Sequence, residues 1–302
     1  MMNHFQMKPI NLLMLILAFG LFTACEEDDD GDDNQNDNNA TGTLTLSFNN
    51  LQDLGPDYVY EGWIKTADGP QTTGTFTVNE NGEMSQSSFE VAQSTLDNGE
   101  AFILSIEPAD DPDPAPSDIK VVAGDFADNM ASLSVSHQAA IGTDFSNGSG
   151  QYIIATPTSA NTTDESSGIW FLDNSGASPV AGLDLPALPA GWQYEGWVVM
   201  NGNPVTTGTF TDPASADDAA PYSGTEMAPP FPGEDFITNA PMGLSFPTDL
   251  AGMKVVISVE PMPDNSEMPF VLKPMNSTVS DPASGGTLSY DSSTLITGTA
   301  TR

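Results

Sequence analysis

Apolar and polar residues alternate with a period of two along much of the chain. Tyr58, Tyr60, Gly62 and Ile64 fall on one face of an extended segment, with Val59, Glu61, Trp63 and Lys65 on the other. That alternation predicts a strand covered on at least one side. Trp192–Met200 repeats it. A Gly-Pro and a Gly-Asn-Pro turn follow, and residues 73–78 supply a return strand, so each segment predicts a hairpin. Further strands are predicted at residues 43–48, 101–106, 119–122 and 131–136. Another set falls at 169–172, 254–259, 270–273 and 287–290. No segment carries a long helical period. Short strands at close intervals predict an all-β chain with two tandem β-sandwich-like units.

The pattern is duplicated. Tyr60-Glu61-Gly62-Trp63-Ile64 recurs as Tyr194-Glu195-Gly196-Trp197-Val198. One constant offset also carries Pro70 onto Pro204 and Thr73-Gly74-Thr75-Phe76-Thr77 onto Thr207-Gly208-Thr209-Phe210-Thr211, with Leu51 and Leu54 matching Leu185 and Leu188. Farther on, the strand ending in Glu107-Pro108 matches the one ending in Glu260-Pro261 at a larger offset, so the second copy is longer. Residues 222–241, with several Pro and Gly, are expected to hold the excess as a surface loop. The domain limits that follow are 41–157 and 168–302, joined by the Ser/Thr/Asn-rich stretch 158–167.

The N-terminal end follows different rules. Lys8 precedes an apolar run from Ile10 to Phe22, which is too short to span a bilayer comfortably and suits an export signal over residues 1–24. Thr23 and Ala24 lead into Cys25, the only cysteine. Leu21, Ala24 and Cys25 resemble the lipobox of bacterial lipoproteins, which implies acylation of Cys25 and attachment to a membrane through lipid. Eight acidic residues between Glu26 and Asn39 then predict a solvated, self-repelling tether over residues 25–40. In Bacteroidetes-type lipoproteins an acidic stretch after the cysteine resembles a signal for export to the outer face of the outer membrane. The expected location is therefore the outer membrane, at the cell surface or in the periplasm.

Charge narrows the partners. Forty-two acidic residues against six basic ones leave a net charge of -36, which repels nucleic acid and anionic lipid. Asp110, Asp111, Asp113 and Asp118 form the densest acidic cluster of the folded part, but prolines interrupt it and the pattern of a dedicated calcium loop is missing. A solvated loop is expected there.

Taken in order, an aromatic-x-Gly-Trp strand, a turn with proline, a Thr-Gly-x-Phe strand and a hydrophobic strand ending in Glu-Pro resemble the extracytoplasmic C-terminal domain of anti-sigma-K factors. The residues that carry the resemblance are Trp63, Pro70, Gly74, Phe76, Glu107 and Pro108, then Trp197, Pro204, Gly208, Phe210, Glu260 and Pro261. Such factors have a cytoplasmic helical segment that holds the sigma factor, and no such segment precedes the apolar run here. The resemblance implies a duplicated sensor or scaffold domain without direct sigma-factor binding.

No catalytic constellation stands out. His137 is the only histidine after the apolar run, so neither a serine triad nor a zinc site of nitrogen and sulfur ligands can be assembled, and no cofactor is expected. The recurring pairs Glu61 with Glu107 and Glu195 with Glu260 could do acid/base work only in close geometry with separated pKa values; both are more simply edge or turn residues. Trp63 and Trp197 are expected in the core, whereas Trp170 and Trp192 are better placed for an exposed or interdomain contact. These features predict a non-enzymatic, lipid-anchored envelope protein that binds an unknown extracytoplasmic partner. The alternative is a carbohydrate-binding or adhesion lipoprotein recognising an extracellular glycan.

Overall fold

The computed structural model describes residues 40–264, 266–280 and 285–302. Cys25, the apolar run and the acidic tether through Asn39 lie outside them. Nineteen strands follow in chain order: β1 (Thr41–Asn49), β2 (Tyr58–Thr66), β3 (Gly69–Phe76), β4 (Ser88–Ala92), β5 (Ala101–Pro108), β6 (Lys120–Ala127), β7 (Met130–Ser134), β8 (Ser149–Ile154), β9 (Gly168–Trp170), β10 (Leu172–Asp173), β11 (Val180–Ala181), β12 (Leu183–Asp184), β13 (Trp192–Met200), β14 (Asn203–Phe210), β15 (Gly233–Asp235), β16 (Lys254–Pro261), β17 (Met275–Thr278), β18 (Gly286–Tyr290) and β19 (Thr297–Thr301). One short helix, Gln93–Asp97, and a 3-10 turn, Ser292–Thr294, complete the described elements.

The fold is all-β, with two large, nearly closed, sandwich-like sheets. The first runs β3-β2-β5-β6-β7-β19-β1-β4 and the second β14-β13-β16-β17-β18-β8-β9-β15, with β12 beside β8 and a small β10-β11 pair apart. Every pairing is antiparallel. In the first sheet the edge strands approach each other, with Phe76 of β3 against Phe89 of β4 at 6.1 Å between ring centres.

Position by position the two sheets have the same plan, with one exchange. β8 follows β7 in the chain but pairs with β18 in the second sheet. β19 follows β18 but lies between β7 and β1 in the first. Each repeat thus gives its last strand to the other. The limits 41–157 and 168–302 do not follow the sheets, since β8 falls within the first span and β19 within the second. Burial and hydrogen bonding hold β19 in place. Ile296 and Ala300 are fully buried. The Arg302 guanidinium donates to the carbonyls of Leu96, Gly99 (2.8 Å) and Asp128 (3.1 Å), and stacks 4.2 Å over the Phe126 ring.

Hairpin chemistry explains a shift of the predicted turns. Met200 pairs with Asn203, so Asn201 and Gly202 make the turn, both at positive φ (53° and 85°) as a type I′ turn requires. Thr66 pairs with Gly69 around Ala67 and Asp68 in the first copy. Pro70 and Pro204 therefore sit inside β3 and β14, which are edge strands where a missing N–H is tolerated. Two other predictions change. Residues 270–273 form no strand, and β17 begins at Met275 instead. The expected surface loop 222–241 contains β15, whose three residues are buried against β9.

Both faces of the central strands are covered. Tyr60, Ile64, Phe102 and Leu104 belong to a continuous main core that also includes Tyr194, Val198, Ile257 and Val259. On the opposite face Trp63 packs with Ile103, Ala123 and Ala140. Among the described residues no helix is long and apolar enough to cross a membrane.

Candidate functional site

The repeated motif builds a bulge. Gly62 pairs with Gly74 and Trp63 with Thr72, leaving Thr73 as the extra residue; Gly196, Gly208, Trp197, Thr206 and Thr207 repeat this arrangement. The glycine in the middle strand is dictated by that bulge. A Cβ on Gly62 would lie 2.4 Å from Thr73 Oγ1, and one on Gly196 2.2 Å from Thr207 Oγ1, with the rings of Phe102 and Phe171 closing the remaining space. Gly74 and Gly208, at φ 112° and 105°, take the backbone conformation that the bulge imposes.

The bulge aims a hydroxyl. Thr72 Oγ1 accepts from the Gly74 N–H at 3.1 Å and donates to the Glu61 carboxylate. Thr206 accepts from Gly208 at 2.9 Å and donates to Glu195. On the neighbouring strand a second relay runs into another glutamate. Trp63 Nε1 donates to Ser105 Oγ at 2.8 Å, and that hydroxyl donates to Glu107; Trp197, Ser258 and Glu260 repeat both contacts, the first again at 2.8 Å. Glu107 also accepts from the Ser117 N–H, and Glu260 from the Phe270 N–H. Tryptophan, serine and glutamate thus recur as one unit, in which the serine hydroxyl accepts from the indole and donates to the carboxylate.

A third acid joins each pair. Asp111 and Asp264 occupy the same place after the Glu-Pro ending, and both bear electrostatically on the glutamate of the hairpin. Burial, and then the like charges of Glu107 and Asp111, push the Glu61 carboxyl above its ordinary range against the pull of Thr72. In the second copy burial and the neighbouring Glu260 and Asp264 push Glu195 up to about 9. Burial raises Glu260 to about 7.

Beside the second set lies a cleft of about 340 Å³ shared by the two repeats. Leu54, Ile106, Ile119 and Phe270 supply apolar walls, while Asp53, Asp57, Glu260 and Asp264 supply carboxylates. The Gln52 side chain accepts from the Val271 N–H at 2.5 Å, joining the repeats across it. Met262 and Met268, 50 % and 57 % exposed, stand in the loop after β16.

Several sequence expectations change. Glu107 and Glu260 are neither edge nor turn residues: both are about 1 % exposed, on strands flanked on both sides. Trp170 and Trp192 are as buried as Trp63 and Trp197, each at 2 %. Trp170 donates to Asp235 Oδ1 at 2.7 Å, and Trp192 packs on Phe270. Asp235 also accepts from the N–H (2.7 Å) and hydroxyl (2.5 Å) of Thr158, which anchors the stretch read as a linker. Phe76 and Phe210 lie in the core, stacked on Tyr60 and Tyr194. Pro108 is exposed and Pro261 partly so. His137 lies 3.3 Å from Asp125. Asp110, Asp111, Asp113 and Asp118 are exposed, with Asp111 and Asp113 capping the turns of their own loop. Sequence reasoning missed Thr72 and Ser105 with their counterparts Thr206 and Ser258, and Asp264; it placed Asp111 in an acidic loop without linking it to Glu61. All six keep the repeat offsets, so a longer comparison of the two copies would have found them.

Fold and sites together define a mostly β protein with two sheet domains, each bearing a bulge-positioned glutamate beside a tryptophan–serine–glutamate relay. No protein-family model, curated protein or solved structure matches this chain.

Proposed function

We propose that this protein is a non-enzymatic binding protein of the bacterial envelope, anchored through lipid on Cys25 and holding an extracytoplasmic partner protein in the cleft between its repeats. The observation that carries the reading is the cleft itself. Its apolar walls, ringed by Asp53, Asp57 and Asp264 and flanked by exposed methionines, suit a partner segment that combines apolar and basic residues. The serines and glutamates of the relays bond to one another, which suits positioning rather than turnover. A sensor or scaffold role of the kind implied by the anti-sigma-K resemblance fits such a cleft. The glycan-binding alternative gains no support from the tryptophans, since all four are buried.

The test is photo-crosslinking in cells, with a photoreactive residue at Met268 and, as a control, at exposed Met130. The reading expects a discrete adduct from position 268 alone, in the membrane fraction, and its loss to the soluble fraction in Cys25→Ala. Equal labelling from both positions, or membrane retention of the Cys25→Ala variant, would refute it.

A further inference from the structure

The second repeat gathers three carboxylates. Glu195, Glu260 and Asp264 each offer an oxygen within 4.8 Å of the other two. Glu260 is held rigidly by Ser258 and the Phe270 N–H. Asp264 arrives from the loop after β16, its Oδ1 accepting from the Ser266 N–H at 2.9 Å. Glu195 is only 5 % exposed, and although Thr206 donates to its Oε1, its Oε2 is buried without any hydrogen-bond donor. A buried carboxylate oxygen with no donor, facing two further carboxylates, is costly unless a cation or a proton comes between them. No ion pair supplies that cation: among the described residues the ion pairs are Lys65–Glu100, Lys120–Asp118 and His137–Asp125. Lys273 contributes a positive field at Glu260 but makes no ion pair with it.

We infer that Glu195, Glu260 and Asp264 form a binding site for a hard divalent cation of calcium size. The donors are all oxygens, which excludes the nitrogen and sulfur preference of zinc and suits calcium or a similar ion. A spread of up to 4.8 Å between ligand atoms fits within the roughly 5 Å width of a calcium shell. Glu260 and Asp264 also line the cleft, so water can complete the coordination from that side. Oε2 of Glu195 then gains the partner that the protein does not supply. The cation would tie the loop after β16 to the hairpin strand β13. The first repeat provides an internal control: Glu61 is partly exposed and Asp111 exposed, and its acids are not gathered in this way. The inference is independent of what occupies the cleft.

Terbium luminescence tests it on the full chain. Trp197 reaches Glu260 through one serine hydroxyl, which places an indole close enough to sensitise a bound Tb³⁺ ion. The expected result is saturable emission excited through tryptophan and displaced by Ca²⁺. Affinity should fall at least tenfold in Glu195→Gln and in Asp264→Asn, and stay within twofold in Glu61→Gln. Glu195→Gln keeps the shape of the protonated acid and should retain the wild-type circular dichroism spectrum. Asp264→Asn alters a partly exposed loop residue, so its result stands even if the buried variant folds poorly. Absence of saturable emission, or equal emission from wild type and both variants, would overturn the site and assign the ions to the exposed acidic stretches.

Discussion

The two repeats place the same side chains around the same bulge, yet the two acidic clusters sit in different surroundings. In the first, Glu61 is partly exposed and Asp111 belongs to an open Asp-Pro loop. In the second, Glu195 is buried, and Tyr222, from the longer connection between β14 and β16, lies close enough to feel its charge. That connection also brings in Glu234, which accepts from Ser223 and the Tyr222 N–H, and Asp217, which accepts from the Gly233 N–H at 2.8 Å. The relay Trp–Ser–Glu is a feature of the sheet and survives unchanged in both copies. The electrostatic state of the acids depends on what covers them. Duplication has therefore preserved the scaffold while insertion has altered the chemistry of one copy.

The sharpest way to break the symmetry is to remove the exchanged strand. Deleting residues 297–302 removes the strand that bridges β1 and β7 and uncovers the core beneath it. The expected loss is on the order of 5 kcal/mol, from severed ladder bonds and lost packing together. Hydrogen exchange should show the amides of Ser47 and Leu133, which face β19, exposed while those of Ile257 and Val259 stay protected. Equal loss of protection in both sheets would mean that they fold as one cooperative unit.

A change of pH should separate the copies next. Burial raises Asp217 and Glu234 to about 7, each from an ordinary value near 4. In the unfolded chain these groups ionise near pH 4, whereas in the folded chain they keep their protons until about 7. The stability they contribute is complete below pH 4 and declines as pH rises to 7, by on the order of 4 kcal/mol for each group at most. Without added divalent cations, urea unfolding should place the second sheet's midpoint higher at pH 5 than at pH 8. The first sheet should change less. An unchanged midpoint for the second sheet would show that Asp217 and Glu234 are ionised in the fold.

The bulge should respond alike in both copies. Gly62→Ala and Gly196→Ala each set a methyl against a threonine hydroxyl and should cost about 2 kcal/mol. Adding Thr73→Ala or Thr207→Ala in the same copy should recover much of that cost, because it removes the colliding oxygen. Thermal melts of the four variants measure it, and additive losses would contradict the steric account. The smallest effect belongs to the relay. Ser105→Ala and Ser258→Ala each strand a buried indole N–H, at a cost of about 1–2 kcal/mol and nearly equal in the two copies. A clear difference between them, read from urea denaturation, would show that the relays are not equivalent.

Much of this was legible in the residues. Alternation at Tyr58–Thr66 and Trp192–Met200 predicted the hairpin strands, and the recurrence of Glu61, Trp63, Gly74 and Glu107 marked the positions that matter in both copies. The tryptophans were harder to assign. In strands packed on both faces, parity says which side a residue takes but not whether that side is covered, and so Trp170 and Trp192 looked freer than they are. Glu107 and Glu260 looked like strand-end residues because the following proline breaks the pattern. Their burial depends on hydroxyl donors two residues back on the same strand, Ser105 and Ser258, and on the Ser117 and Phe270 N–H groups ten residues further along the chain.

By itself the sequence determined the all-β class, the duplication and the chemistry available, because period-two patterning, repeated motifs and residue types are local properties. The tertiary structure alone decided that β8 and β19 change places, that the second acidic cluster is gathered and buried, and that the two repeats share a cleft. Each of these depends on segments distant in the chain meeting in space, and antiparallel pairing accepts any partner of matching length and face. Local patterning cannot choose among such partners; packing can.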